Sequence, residues 1–205
     1  MKYFFFFLFT IITSSAFCQD DLLNDLMKTQ DTTTELIPKK MLLTQRIFWG
    51  QKGLLRPIYP VNAVNREKEL KLRRAMLVTH QVLGFTTLGG MIGQGIVGSR
   101  LYNATGNNYT KIKNVHEGLG AFVNITYSTT AVMSLFAPPP LINRDKKISA
   151  IRIHKWLSLV HMSSMIATNI LAERATEDPK FKPYHRAAAY TAFASYAAAV
   201  ISIKF

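Results

Sequence analysis

From about residue 75 onward the chain alternates between four long apolar runs, roughly 76–99, 114–137, 149–171 and 184–204, and short polar stretches. Crossing a hydrocarbon core about 30 Å thick takes about 20 apolar residues at 1.5 Å each, and each run is of that order. The pattern predicts four helices. The stretches between them, "NATGNNYTKIK", "PPPLINRDKK" and "ERATEDPKFKP", are short enough to make neighbours antiparallel, so the expected fold is all-α: an integral membrane up-down-up-down four-helix bundle. Pro138, Pro139 and Pro140 stop the second helix, and Asp178 with Pro179 separates the third from the fourth. The first helix carries six glycines, among them a Gly89/Gly93 small-xxx-small pair suited to close packing in lipid, and the fourth is rich in alanine.

Upstream the pattern changes twice. Residues 1–18, "MKYFFFFLFTIITSSAFC", have a Lys, an apolar core and the small residues Ala16 and Cys18, and are expected to be a signal peptide cleaved after Cys18. Residues 19–73 are polar and mixed, with short apolar stretches. They are expected to form an extramembrane segment with one or two short helices, one of them interfacial around "LLTQRIFW", serving as a docking surface or a spacer. The bundle is then residues 74–205.

Cys18 is the single cysteine, and Phe17 before it argues against a lipoprotein-type anchor, so the mature chain would lack thiols for disulfides or thiolate metal sites. The net charge of +13 is concentrated in "NREKELKLRR", "NRDKKISAIRIHK" and "KFKPYHR", each flanking an apolar run. We read these clusters as headgroup and topology signals, not as a nucleic-acid footprint, since no aromatic-basic platform accompanies them.

The five histidines, His80, His116, His154, His161 and His185, all fall within the predicted bundle. Antiparallel threading places His80 and His154 near the membrane face where the first helix begins, on helices one and three. His116 and His185 fall near the opposite face, on helices two and four. Each of these four has a small residue one turn deeper on the same helix face: Gly84, Gly120, Ser158 and Ala189. His161 is followed at that spacing by Met165. Two diagonal imidazole pairs beside cleared space suit two bis-His b-type haems, whose iron these four histidines would ligate. Taken singly, each histidine could equally be a packing or hydrogen-bonding residue of the helix interior. A bare metal-ion site is less well matched, because Glu117 is the one acid beside any of the four. His161 would lie between the pairs, as a packing residue in the first place, with shaping the intervening medium or serving as an alternative ligand left open. Lys111, Lys113, Arg152 and Lys155 sit within a turn or two of the proposed ligands, where they could hold haem propionates or snorkel to lipid phosphates; Trp156 reads as an interfacial anchor.

With the histidines placed, residues 74–205 resemble the cytochrome b561 family. "KIKNVHEGLG" is similar to that family's Lys-containing lead into its second ligand helix, "RIHKWLSLV" to its His-Ser-Trp-Leu-Gly segment, and "KPYHRAAAYTAF" to its Pro-x-His-x-x-x-Gly-x-x-x-Phe segment. The chain departs from the family in having the four core helices without flanking ones, and in Lys155 standing where the family has Ser. Nothing in it resembles the ascorbate-contacting segment of the eukaryotic members. The resemblance implies electron transfer across the membrane from one haem to the other, with a quinol or a periplasmic redox protein as the expected partner. A homodimer is left open.

Two rival functions remain open on sequence: a non-redox four-helix scaffold or assembly protein, and a mono-haem membrane anchor subunit of an oxidoreductase. No nucleotide-binding loop, flavin fingerprint, haem c attachment motif or catalytic triad is present, so any substrate chemistry is expected from a partner. A signal peptide would put residues 19–73 on the periplasmic side of a bacterial inner membrane, whereas the positive-inside rule favours the reverse. We take the signal peptide as decisive because it is read first.

Overall fold

The computed structural model describes residues 36–141 and 150–204, and the expected signal peptide and the first part of the polar segment lie outside the described residues. The described chain is helical: α1 (Leu43–Trp49), α2 (Ala63–Tyr102), α3 (Gly106–Leu135), α4 (Ala150–Glu177) and α5 (Lys182–Lys204), with a 3-10 turn at Pro179–Phe181 before α5. The long helices are paired as two hairpins, α2 with α3 and α4 with α5, and the hairpins meet along α2 and α5.

Helix ends differ from the apolar boundaries in a consistent direction. We expected the first helix near residue 76, yet α2 starts at Ala63, behind an Asn62 side chain that accepts the Asn65 amide at 2.8 Å. The charged "NREKELKLRR" ends the apolar run without ending the helix, because Glu, Lys, Leu and Arg are good helix formers and Glu67 pairs with Lys71 one turn on, at 2.7 Å. Likewise α3 begins at Gly106, whose φ of +58° a residue without a side chain adopts freely, so the reversal from α2 needs only Asn103–Thr105. Asp178 caps the 3-10 turn by accepting from the Lys180 amide at 3.0 Å, with Pro179 in the first position.

The polar segment ahead of α2 folds onto the bundle wherever it is described. Three α1 side chains reach the chain end of α3: Thr44 donates to Leu135 O at 2.6 Å, Trp49 to Phe136 O at 2.9 Å and Gln45 to Ala137 O at 3.1 Å. Leu135 O and Phe136 O are among the carbonyls a helix terminus leaves without partners, so α1 acts as an external cap for α3. Phe48 stacks edge-on against Phe136 with centroids 5.1 Å apart.

Beneath this cap lies a buried ion cluster. Glu69 is bracketed by the guanidinium groups of Arg66 and Arg56, and both Arg66 and Glu69 are 1% exposed. Arg56 also donates to the carbonyls of Trp49, Gly50 and Tyr59, while Arg66 and Arg73 reach Pro139 O and Pro138 O. The sequence reading of this cluster as headgroup signals is therefore corrected for Arg66 and Arg73: they fasten α2 to the buried prolines at the end of α3.

Inside the bundle the core is built from Met91, Val123, Tyr127, Met165 and Tyr196, with Leu88, Met162, Phe193 and Val200 packed around them. Polar groups are concentrated inward, including Thr87, Thr126, Thr130, His161 and Ser195. The outer faces carry exposed aliphatic side chains on all four long helices, such as Val82, Ile125, Leu159 and Ile201. Among the described residues one helix, α2, is long and apolar enough to cross a membrane, where the sequence pattern led us to expect four.

Candidate functional site

His80 on α2 faces His154 on α4, with ring centroids 6.1 Å apart and planes at 80°. His116 on α3 faces His185 on α5, at 6.4 Å and 82°. The four histidines thus come together in two diagonal pairs, each uniting the two hairpins, while the fifth stands apart. Two metal–imidazole bonds of about 2.0 Å, plus about 1.1 Å from each nitrogen to its ring centre, separate the centroids of collinear ligands by about 6.2 Å. Both pairs match that span.

The ring nitrogens are divided between two tasks. His80 Nδ1 lies 2.9 Å from Thr130 O, His154 Nδ1 2.9 Å from Ala199 O, and His185 Nδ1 2.9 Å from Thr168 O. A backbone carbonyl can only accept, so Nδ1 carries the proton in all three and Nε2 is left as the lone-pair nitrogen. That is the tautomer a metal-ligating imidazole needs, with its orientation fixed by the outer hydrogen bond. In every case the carbonyl belongs to the partner helix of the same hairpin. His116 differs: its Nδ1 is buried without a partner, and the carboxamide Nε2 of Gln94 sits 3.4 Å from its Nε2.

The small residues one turn from each histidine are not all open space. A side chain at Gly84 would meet the Tyr196 hydroxyl at 3.6 Å, and that hydroxyl donates to Gly84 O at 3.1 Å. One at Gly120 would meet Gln94 Nε2 at 3.1 Å. Ser158 and Ala189 are half-buried, the Ser158 hydroxyl donating to Lys155 O at 2.7 Å. At the two glycines the room faces a polar side chain from a neighbouring helix, Tyr196 beside Gly84 and Gln94 beside Gly120. The small-xxx-small reading shifts too. Gly90, Gly93 and Gly98 are the glycines seated against α3, where an added Cβ would stand 2.8 Å from Val123, 3.2 Å from Leu119 and 2.9 Å from His116, whereas one at Gly89 would meet nothing within 4 Å.

His161 fills the middle level. Its Nδ1 is 2.7 Å from Tyr127 Oη, and its ring packs edge-on against Tyr127 and Tyr196, at 5.6 Å and 5.0 Å. Of the basic residues considered for propionates, Lys113 lies 3.4 Å from Glu117 and Arg152 is exposed at the start of α4. Trp156 is 67% exposed, facing outward.

Sequence reasoning missed Gln94 and the anchoring carbonyls. A signal for them exists. Thr130 follows His116 by fourteen residues, Ala199 follows His185 by fourteen, Thr168 follows His154 by fourteen, and Gln94 follows His80 by the same interval. Fourteen residues are just under four helical turns, so the ligand position and the anchor position share one face about 21 Å apart. Comparison with protein-family models, with curated proteins and with solved structures finds no match for this chain.

Proposed function

We propose that this chain is a membrane-embedded four-helix protein, similar to the cytochrome b561 family, that binds two b-type haems and passes electrons between the two membrane faces. His80 and His154 would hold one haem, His116 and His185 the other. The observation that carries this reading is the pair geometry: two imidazole pairs at the span of a doubly ligated metal, three of the four rings fixed in the ligating tautomer by backbone carbonyls. Ring packing alone gives such spacings too, but it does not ask that three of the rings share one tautomer or that the pairs join the two hairpins diagonally. A haem bound in each pair supplies one-electron redox chemistry.

The chain's own residues do the rest. The backbone anchors hold the imidazoles in place through any change of charge at the metal, because a carbonyl in a helix cannot rotate away. Tyr127, His161 and Tyr196 fill the interval between the pairs and keep it closed to water. The aliphatic outer faces, and the exposed Leu43, Ile47, Leu54 and Ile58 around α1, favour a lipid surround over water, with α1 at the interface. Lys113 and Arg152 are the basic groups assigned to propionates at the two faces. The electron partner is a quinol or a periplasmic redox protein.

The test is a dithionite-reduced minus air-oxidised absorbance spectrum of the detergent-purified chain, with haem quantified per polypeptide. Two b haems, falling to one in both His80→Ala and His116→Ala, are expected. No haem after expression with ample haem supply would overturn the proposal in favour of a scaffold. One haem, insensitive to His116→Ala, would make the chain a mono-haem anchor.

A further inference from the structure

Three of the four paired histidines have their outer nitrogen satisfied by the helix that shares their hairpin, and the fourth does not. The fourteen-residue interval identifies where the missing partner belongs: the residue of α2 equivalent to Thr168 of α4 is Gln94. Two polar atoms at this place are buried with nothing to bond to, His116 Nδ1 and Gln94 Oε1. They are complementary, since a ligating His116 carries its proton on Nδ1 and a carboxamide oxygen accepts. They belong to two groups in contact. Oε1 shares its carbon with the Gln94 Nε2 that lies 3.4 Å from the ring, and Nδ1 shares Cε1 with the ring nitrogen at the other end of that contact. Gly98, one turn beyond Gln94 on the same face of α2, admits the ring edge: a side chain there would stand 2.9 Å from Cε1 and 3.4 Å from Nδ1. Gly120 gives the carboxamide its room on the other side.

We propose that Gln94 is the positioning residue for His116, its side-chain Oε1 accepting the Nδ1–H bond that backbone carbonyls accept at the other three histidines. This rests on the reading of the histidine pairs as haem sites. Gln94 Nε2 donates to His116 O at 3.0 Å and rests against the ring's Nε2, so seating Oε1 on Nδ1 takes rotation of the carboxamide together with a turn of the ring. One site is therefore tuned by a side chain, whereas the other is anchored by backbone alone. Since an accepting outer partner makes an imidazole a stronger donor and favours the oxidised metal, loss of this bond raises the potential of one haem and leaves its companion unmoved.

The experiment is a potentiometric titration of the full-length chain in detergent, with haem content, for the parent, Gln94→Leu and Gln94→Glu. We expect Gln94→Leu to shift one of two midpoints upward by the equivalent of about tenfold in the oxidised-to-reduced ratio, or to lose that haem, as removal of an outer partner costs about 10–100-fold in metal affinity. Gln94→Glu retains the acceptor and adds charge, so it should keep both haems and move the same midpoint downward. Both midpoints unchanged in both variants would overturn the assignment of Gln94 while leaving the haem sites standing. Loss of the same haem in both variants would reduce Gln94 to a packing residue against Gly120. A parent chain without haem would overturn the underlying reading and this inference with it.

Discussion

Replacing Glu69 by alanine isolates the contribution of the buried ion cluster to the attachment of the N-terminal segment. The Glu69 side chain is fully buried, and its two cationic partners are nearly so, at 9% exposed for Arg56 and 2% for Arg66. Without the carboxylate, Arg56 retains three backbone carbonyls. Arg66 retains only Pro139 O at 3.3 Å, and its Nε already lacks a partner. Removing one member of a buried pair costs about 3–5 kcal/mol, and the surviving carbonyls place this case near the lower end, at about 3 kcal/mol. For a domain of this size each kcal/mol moves the melting temperature about 2–4 °C, so a loss of about 6–12 °C is expected. Trp49 is 4% exposed and hydrogen-bonded to α3, so its fluorescence in a Trp156→Phe background reports the undocking directly. A double variant, Arg66→Met with Glu69→Leu, should recover most of the loss, because a buried pair replaced by apolar side chains is commonly neutral or stabilising. Melting of Glu69→Ala within a degree of the parent, or a double variant weaker than the single, would refute the reasoning.

Two further outcomes are expected in the bundle. Tyr127→Phe removes the 2.7 Å partner of a buried His161 nitrogen and should lower stability by about 1–3 kcal/mol in a denaturant titration, without changing haem content. Gly90→Ala drives a methyl to 2.8 Å from Val123 and should cost about 1–3 kcal/mol, as overpacking does, whereas Gly89→Ala meets nothing and should stabilise by about 0.5–1 kcal/mol through helix propensity. Opposite signs at adjacent positions, read by thermal unfolding, check both.

Much of the helical framework was legible because long apolar runs separated by prolines and short polar stretches have few other solutions. The diagonal pairing of His80 with His154 and of His116 with His185 was also legible, since antiparallel threading alone decides which histidines share a level. Helix ends were not. The start of α2 lies thirteen residues before the apolar run because Arg66 pairs with Glu69 while Arg66 and Arg73 reach the carbonyls of Pro139 and Pro138, and such pairing depends on which remote backbone arrives there. The anchors of the imidazoles were hidden for a related reason. Thr130, Thr168 and Ala199 act through carbonyl oxygens, which every residue possesses, so their identities carry no mark of the role. Gln94 alone among the four positions acts through its side chain, and a polar residue amid the glycines of α2 was the visible trace of it.

The division of labour between the hairpins has a consequence for assembly. Three of the four paired histidines are anchored within their own hairpin, yet neither hairpin contains both members of any pair. The two halves can therefore be finished separately, α2 with α3 and α4 with α5, before they meet. Whatever bridges a pair also clasps one half to the other, at two levels about 21 Å apart. Under the proposed haem ligation, loading would be a closing step that rewards correctly mated halves, and the two halves produced as separate chains would be driven to associate by the ligand they share.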